Sequence, residues 1–376
     1  MTSQQDAGVR PYAEMYYEPG YVPKDDELLC AFRITPREDV GMIEAAAAVA
    51  AESSTGTWTT VQSEVAARLK ARVYEISDDI AYIAYPIELF EAGSLPNLLS
   101  SVAGNVFGMK AVDGLRLEDI RLPSALVRSF PGPVAGLSGV RERLGIYGRP
   151  MTGSTIKPKL GLTAAEHAQM CYETLRGGID TVKDDENLGS QTFNQFEERV
   201  TRTLELLRKA EAETGETKGY WINITAGDTE EMIRRAEFVK EQGGIYVMID
   251  FLTTGFTALG SLRKAVERLG LMIHAHRAMH AAFDRVPTHG IEYRVIAKWA
   301  RLAGMDHLHV GTGVGKLEGG VTEMKERQTI LRDDYSKAVG HMHFDQDWAG
   351  LKATIPVASG GLHPGHVAAL HQRYPG

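Results

Sequence analysis

Three consecutive stretches decide the fold: Tyr246-Val-Met-Ile-Asp-Phe251, then Ala258–Leu269, then Leu271-Met-Ile-His-Ala-His276. The outer two are largely apolar runs of strand length, interrupted only by Asp250 in the first and by His274 and His276 in the second. The middle one is long enough for a helix, and Gly270 closes it. Strands of a parallel sheet are covered on both faces, so they read as continuous apolar runs, and a strand–helix–strand series of this kind is a βαβ unit. The alternation continues in both directions. Upstream lie a strand at Ser154–Lys157, a helix at Ala164–Arg176, a strand at Asp180–Lys183, a helix at Phe193–Glu213, a strand at Tyr220–Thr225 and a helix at Glu230–Gln242. Downstream lie a helix at Glu292–Leu302, a strand at Leu308–Gly311, a helix around Glu323–Tyr335, a strand at Ile355–Ser359 and a helix at Val367–Arg373. Seven βα units in series predict an α/β chain with a (β/α)8 TIM barrel. A doubly wound open sheet is the alternative, but no GxGxxG follows the first strand. A closed barrel needs an eighth strand. None is legible after Arg373, so the expectation is a barrel lacking its eighth βα unit, C-terminally incomplete in this chain.

Before the barrel the pattern is different. Residues 1–20 read as an arm. Glu27–Thr35, Ala71–Ile76 and Ile80–Pro86 read as strands, and Ile43–Glu52 and Leu95–Val102 as helices. Ser53–Thr60 is too polar and turn-prone for a core element. This part predicts a compact α+β domain of ferredoxin-like type. Pro131-Gly-Pro-Val-Ala-Gly-Leu-Ser138 is the best boundary signal, giving domains at residues 1–135 and 136–376. Across all 376 residues, 41 Lys and Arg stand against 49 Asp and Glu, so the net charge of −8 and the lack of a basic run argue against nucleic acid as a partner. No apolar run reaches the roughly 18 residues of a membrane span, and no secretory leader is legible. Cys30 and Cys171 fit no disulfide or zinc pattern, which points to reduced thiols and a cytoplasmic location.

Chemistry in a parallel barrel gathers at the C-terminal ends of its strands. Here those ends carry Lys157-Pro-Lys159, Lys183-Asp-Asp-Glu186, Asn223, Asp250, His274-Ala-His276-Arg277, His307-Leu-His309 with Gly311-Thr-Gly-Val-Gly-Lys316, and Ser359-Gly-Gly361. One such residue would read as a helix cap or a surface charge; seven strand ends in a row read as an active-site mouth. Asp185 and Glu186 suit a hard cation such as Mg2+. Lys183 shares a strand face with Asp185 while Asp184 faces away. An ammonium has no lone pair, so Lys183 is either a counter-ion or a lysine converted covalently to an oxygen donor. Lys157 and Lys159 are either anion-holding cations or, if desolvated, a source of a general base. Gly311–Lys316 lacks the Ser/Thr that follows a P-loop lysine and reads as a glycine-hinged lid. Ser359-Gly-Gly361 reads as a phosphate nest. Together they indicate a metal-assisted enzyme for a phosphorylated anion.

The chain resembles the large subunit of ribulose-1,5-bisphosphate carboxylase/oxygenase (RuBisCO) along nearly its whole length. The motifs that carry the likeness are Glu52-Ser-Ser-Thr-Gly-Thr-Trp58, Gly104-Asn-Val-Phe-Gly108, Thr155-Ile-Lys-Pro-Lys-Leu-Gly161, Gly177-Gly-Ile-Asp-Thr-Val-Lys-Asp-Asp-Glu-Asn187, His276-Arg-Ala-Met-His280, His307-Leu-His309 with Gly315-Lys-Leu-Glu-Gly319, and Ala358-Ser-Gly-Gly361. Tyr82–Ile87 and Gly153–Lys157 look most similar to the archaeal form III enzymes. The resemblance implies Mg2+ held by Asp185, Glu186 and Lys183, the last carbamylated by an activator CO2. It implies the Lys183 carbamate as base for enolisation, Lys157 in acid–base chemistry supported by Lys159, His276 at the hydration step, and Lys316 over the carboxylated intermediate. Arg277, His309 and Ser359 would hold the substrate and one phosphate; Thr57, Trp58, Lys316, Gly360 and Gly361 would hold the other. Glu52, Thr57, Trp58 and Asn105 would complete the site of a neighbouring subunit, which makes a homodimer the minimal unit and leaves an assembly of dimers open. The implied reaction joins CO2 to ribulose 1,5-bisphosphate and yields two 3-phosphoglycerate, with O2 as competing substrate. Two alternatives stand beside it, a RuBisCO-like enolase or isomerase of sulfur salvage and a non-catalytic protein of the same fold. Both predict decay of a residue set that is present here.

Overall fold

The computed structural model describes residues 10–56, 63–313 and 320–373. It divides into two compact units. The first takes the chain up to Phe130 together with Met279–Trp299 and Asp333–Leu351. Its centre is an antiparallel sheet of β1 (Leu28–Pro36), β2 (Arg72–Ser77), β3 (Ile80–Tyr85) and β4 (Val112–Arg121), with β10 (Gly290–Ile291) added in parallel at the edge; the order is β10-β4-β1-β3-β2. The helix Met42–Glu52 buries an unbroken run from Ala45 to Ala51, small side chains that permit close packing. Ser53 belongs to this core: its hydroxyl is 2.8 Å from that of Tyr85. The arm contains a short helix at Tyr12–Tyr16, held by Glu44 on the backbone N–H groups of Tyr12 and Ala13. The later segments are bound in by buried polar contacts. Lys298 Nζ donates to Asp119 and to the carbonyl of Ile120, each at 2.6 Å. Gln346, on the small hairpin of β12 (Tyr335–Ser336) and β13 (Gln346–Asp347), bonds both the N–H and the carbonyl of Leu122.

The second unit takes Pro131–Ala278, Ala300–Arg332 and the chain from Lys352 on. Its strands are β5 (Gly153–Thr155), β6 (Thr181–Lys183), β7 (Gly219–Trp221), β8 (Tyr246–Asp250), β9 (Met272–His276), β11 (His307–Gly311) and β14 (Ile355–Ala358). All pair in parallel in the orders β5-β6-β7 and β14-β11-β9-β8, and a bridge between Asn223 and Met248 joins the two runs. Each strand therefore lies beside its predecessor, always advancing in one direction. A doubly wound sheet reverses direction after its first strand, so this order is that of the TIM barrel. Seven such strands lie among the described residues. Trp221, Tyr246, Met248, Met272 and Ile355 form a core with Val140, Leu144 and Ile146 from the helix Gly136–Leu144 and the turn after it. Gly153 makes room for this floor, because a Cβ there would meet the Trp221 ring at 2.9 Å. Among the described residues no helix is long and apolar enough to cross a membrane.

Candidate active site

The strand expected at Ser154–Lys157 ends two residues early, whereas the one expected at Asp180–Lys183 ends where the sequence places it. β5 stops at Thr155 and β6 at Lys183, so Lys157, Lys159 and Asp184–Glu186 lie on the loops that follow. The chain turns at Glu186, which lets both carboxylates approach the same lysines. Lys157 Nζ donates to Asp185 Oδ2 at 2.9 Å, and Lys159 Nζ lies 3.7 Å from Asp185 and 3.9 Å from Glu186. Lys183 Nζ lies 3.5 Å from Glu186 Oε2 and donates to the carbonyl of Asp184 at 2.6 Å. On the far side of Glu186, His276 Nε2 is 3.5 Å away, and His276 Nδ1 is 3.1 Å from Asp250 Oδ1. Six residues singled out from the sequence, Lys157, Lys159, Lys183, Asp185, Glu186 and His276, thus form one continuous ionic network.

Burial separates the lysines. The side chain of Lys157 is 62% exposed and that of Lys183 only 2%, so the desolvated lysine of the mouth is Lys183. Burial pushes its pKa below the ordinary lysine value, and Glu186, Asp185, Asp250 and Asp184 only partly restore it. Burial alone would raise Asp185, but hydrogen bonds from Lys157 and Asn187 win and hold it below the usual carboxylate range. Glu186 is likewise lowered: burial is outweighed by His276 and Lys183. The cluster therefore offers two ionised carboxylates beside a lysine whose neutral form is accessible.

Asp184, the first residue after β6, faces away from this cluster, and its role is structural support. Its buried carboxylate accepts from the Tyr220 hydroxyl, from Arg199 Nε at 3.3 Å and from the backbone N–H of Asn223 at 3.0 Å, with His167 Nε2 at 3.0 Å. Asn223 in turn donates through Nδ2 to the carbonyls of Asp185 and Glu186. Sequence reasoning had no signal for this platform, because its members come from four separate elements and the segments beside them, and none is unusual alone. Although burial would raise it, Arg199 and His167 hold the Asp184 carboxyl down to about 2. That folded value lies below the ordinary 3.8, so its stabilising contribution is complete above about pH 4 and is lost as pH falls toward 2. Asp184→Asn would strip a fully buried Arg199 of its counter-charge; the expected loss is about 3–5 kcal/mol in denaturant unfolding at neutral pH. A loss below about 1 kcal/mol would contradict the platform role.

The other candidates fall into three groups. His309, on β11, packs edge-on against His276 with ring centroids 4.9 Å apart, and Arg277 follows His276 in a buried position. Ser359 closes β14 by donating its N–H to the carbonyl of Gly311 at 3.3 Å, and Gly360 and Gly361 continue with φ of 128° and 70°, backbone that disfavours other residues. Glu52 and Asn105 are exposed in the first unit, at the end of the helix Met42–Glu52 and the start of the turn Asn105–Gly108. Thr57, Trp58 and Lys316 lie outside the described residues. A cavity of about 460 Å3 lined by Val134, Glu142, Arg143 and Met272 lies at the opposite, N-terminal end of β9; it touches none of these groups.

A parallel barrel whose mouth sets a buried lysine between two ionised carboxylates, ringed by cationic and histidine side chains, defines a class: enzymes that bind a hard cation and act on an anionic substrate. Comparison with known proteins narrows it. The model of the ribulose bisphosphate carboxylase large chain, catalytic domain, matches residues 136–374, and that of its N-terminal domain matches residues 15–126. A solved structure, the dimeric archaeal Rubisco from Hyperthermus butylicus, superposes with a TM-score of 0.91 at 44% identity, covering 97% of this chain and 86% of that one. The chain belongs to the ribulose bisphosphate carboxylase large-chain family. Its activity is ribulose-bisphosphate carboxylation, a carbon–carbon lyase reaction that fixes carbon dioxide, with oxygenation alongside.

Proposed function

We propose that Lys183, Asp185 and Glu186 hold Mg2+, with Lys183 carrying activator CO2 as a carbamate. The observation that carries this reading is the donor set itself. Two ionised carboxylates stand beside a buried lysine, and as an ammonium that lysine opposes a cation. Its lowered pKa makes the neutral amine available to CO2, and a carbamate supplies the missing oxygen donor. The set then fits a hard divalent ion. When bound, that ion polarises the oxygens of the sugar bisphosphate and steadies the charge that develops on them.

The chain's own groups do the rest. Lys183, as its carbamate, takes the proton from C3 of ribulose 1,5-bisphosphate. Lys157 stands at hydrogen-bond distance from Asp185 and exchanges protons with the enediol oxygens, with Lys159 adding positive charge nearby. Asp250 orients His276, which handles the proton of the hydration step. Arg277, His309 and Ser359 hold one phosphate. Thr57, Trp58, Gly360 and Gly361 hold the other, and Lys316 faces the carboxylate added from CO2. Glu52, Thr57, Trp58 and Asn105 serve the site of a partner copy, so the working unit is a homodimer. The archaeal dimeric Rubisco at 44% identity supports that assembly and the form III assignment.

Incubating the purified chain with ribulose 1,5-bisphosphate, Mg2+ and labelled CO2 tests the whole reading. Labelled 3-phosphoglycerate, formed only after preincubation with CO2 and Mg2+, is expected. Label incorporated without any need for preincubation removes the carbamate, and no incorporation removes the assigned roles.

A further inference from the structure

Asp185 and Glu186 are neighbours in the chain, yet Lys159 lies within reach of both carboxylates. Successive side chains of an extended strand point to opposite faces, so this convergence depends on the backbone between them. The device is a turn over Asp185–Leu188, with Glu186 and Asn187 at its centre. The Leu188 N–H closes it on the Asp185 carbonyl at 3.0 Å. A turn beyond the strand end has no ladder to hold it, and its support comes from the neighbouring strand. Asn223, two residues past β7, is buried, and its Nδ2 donates to the carbonyl of Asp185 at 3.4 Å and to that of Glu186 at 3.2 Å. One amide thus grips the first residue of the turn and its central peptide.

The orientation of that amide is fixed by its partners. Oδ1 accepts the Thr225 N–H at 3.0 Å, and an amide offers two N–H donors on its nitrogen and lone pairs on its oxygen. The flipped amide would set oxygen against two carbonyls. The backbone that carries Asn223 is itself held on two sides. Its N–H donates to Asp184 Oδ2 at 3.0 Å. A parallel bridge to Met248 is made by the Met248 N–H on the Ile222 carbonyl at 2.7 Å and the Ile224 N–H on the Met248 carbonyl at 3.1 Å. Asn223 therefore passes the rigidity of the sheet to the turn, and it does so without charge. A lysine or arginine could also donate, but would place another cation beside the carboxylates. An aspartate has the same shape and, ionised, no donor.

We propose that Asn223 is a positioning residue that pins the Asp185–Leu188 turn, so that two adjacent carboxylates converge on one cation. The proposal rests on the reading of Asp185 and Glu186 as Mg2+ ligands, and the two can be tested apart. In the full-length protein, Asn223→Ala removes the donors and Asn223→Asp keeps the shape but offers only oxygens. In both, the Mg2+ concentration for half-maximal carboxylation after preincubation with CO2 should rise about tenfold to a hundredfold, the usual contribution of groups that hold metal ligands in place. Mg2+ binding measured by calorimetry should weaken by the same factor. The kcat reached at saturating Mg2+ and the KM for ribulose bisphosphate should change far less, a split that general loss of structure would not produce. In the metal-free variants the Leu188 amide should exchange with solvent faster than in the wild type. Thr225→Val removes a neighbouring hydroxyl but none of the Asn223 bonds, so Mg2+ affinity and Leu188 exchange should stay at wild-type values. Wild-type Mg2+ affinity in a folded Asn223→Ala or Asn223→Asp protein overturns the proposal, as does a weakening in Thr225→Val as large as that in Asn223→Ala. Should neither Asn223 variant fold, exchange in the wild type decides through the Thr225 amide, which is bonded to Asn223 Oδ1. A protected amide there supports the proposal, and one that exchanges as fast as an exposed peptide overturns it. If Asp185→Asn leaves Mg2+ binding at wild-type strength, the metal reading fails, while faster Leu188 exchange in Asn223→Ala still supports the pinned turn.

Discussion

On the proposed metal site, Lys183→Met lowers carboxylation by about a thousandfold or more, because the several kcal/mol that a bound divalent ion would contribute to the transition state are lost with its proposed third oxygen ligand. Met has nearly the length of lysine and no amine, so it can neither take up CO2 nor donate to the Asp184 carbonyl. The side chain is 2% exposed and borders Met248 Sδ at 3.5 Å, so a thioether fits the same space. The variant should fold and unfold at or above the wild-type temperature, since a desolvated amine has been replaced by an apolar group. Three measurements define the result: carboxylation rate, Mg2+ affinity, and CO2 retained on the protein after preincubation. All three should fall together while the melting temperature holds. A variant that keeps full activity at low CO2 would show that Lys183 is only a counter-ion.

That prediction was half legible in the sequence, and the reason is local. Lys183, Asp185 and Glu186 are neighbours in the chain, so strand alternation plus one turn was enough to bring them together. The parallel barrel was legible for the same reason: each βα unit is a contiguous segment, and apolar runs such as Tyr246–Asp250 record burial on both faces. Long-range polar contacts left no such trace. Asp184 reaches Arg199 across 15 positions and Tyr220 across 36, and His274 reaches His309 across 35. Each of these residues alone resembles an ordinary charge or core histidine. The segments 279–299 and 333–351 show the same limit: they sit inside a stretch that reads as continuous βα repeats. What binds them to the first unit is paired buried groups, Lys298 with Asp119 and Gln346 with the Leu122 backbone. The end of β5 was misplaced by two residues, at Thr155 rather than Lys157, while β6 ends at Lys183 as its pattern indicates.

Lys157→Met separates proton transfer from metal binding, and the geometry says how. Lys157 is 62% exposed and touches the proposed metal cluster at one point, Asp185 Oδ2 at 2.9 Å. The other carboxylate oxygen of Asp185 keeps both of its bonds from Asn187, through the backbone N–H at 3.2 Å and Nδ2 at 3.1 Å. Without Lys157 the Asp185 carboxyl loses one of the groups that hold it below the ordinary range, so its pKa rises toward that range. It remains ionised at neutral pH, and Lys159 still lies 3.7 Å away. Mg2+ affinity and CO2 retention on Lys183 should therefore stay near the wild-type values. Turnover should fall by about 100-fold to 10,000-fold, the usual contribution of a positioned acid–base group. Exchange of the C3 proton of ribulose bisphosphate with solvent should fall in parallel, because the role proposed for Lys157 is in enolisation. Wild-type exchange with lost carboxylation would move Lys157 to a later step. Lost Mg2+ affinity would instead make it part of the metal site, held there through Asp185.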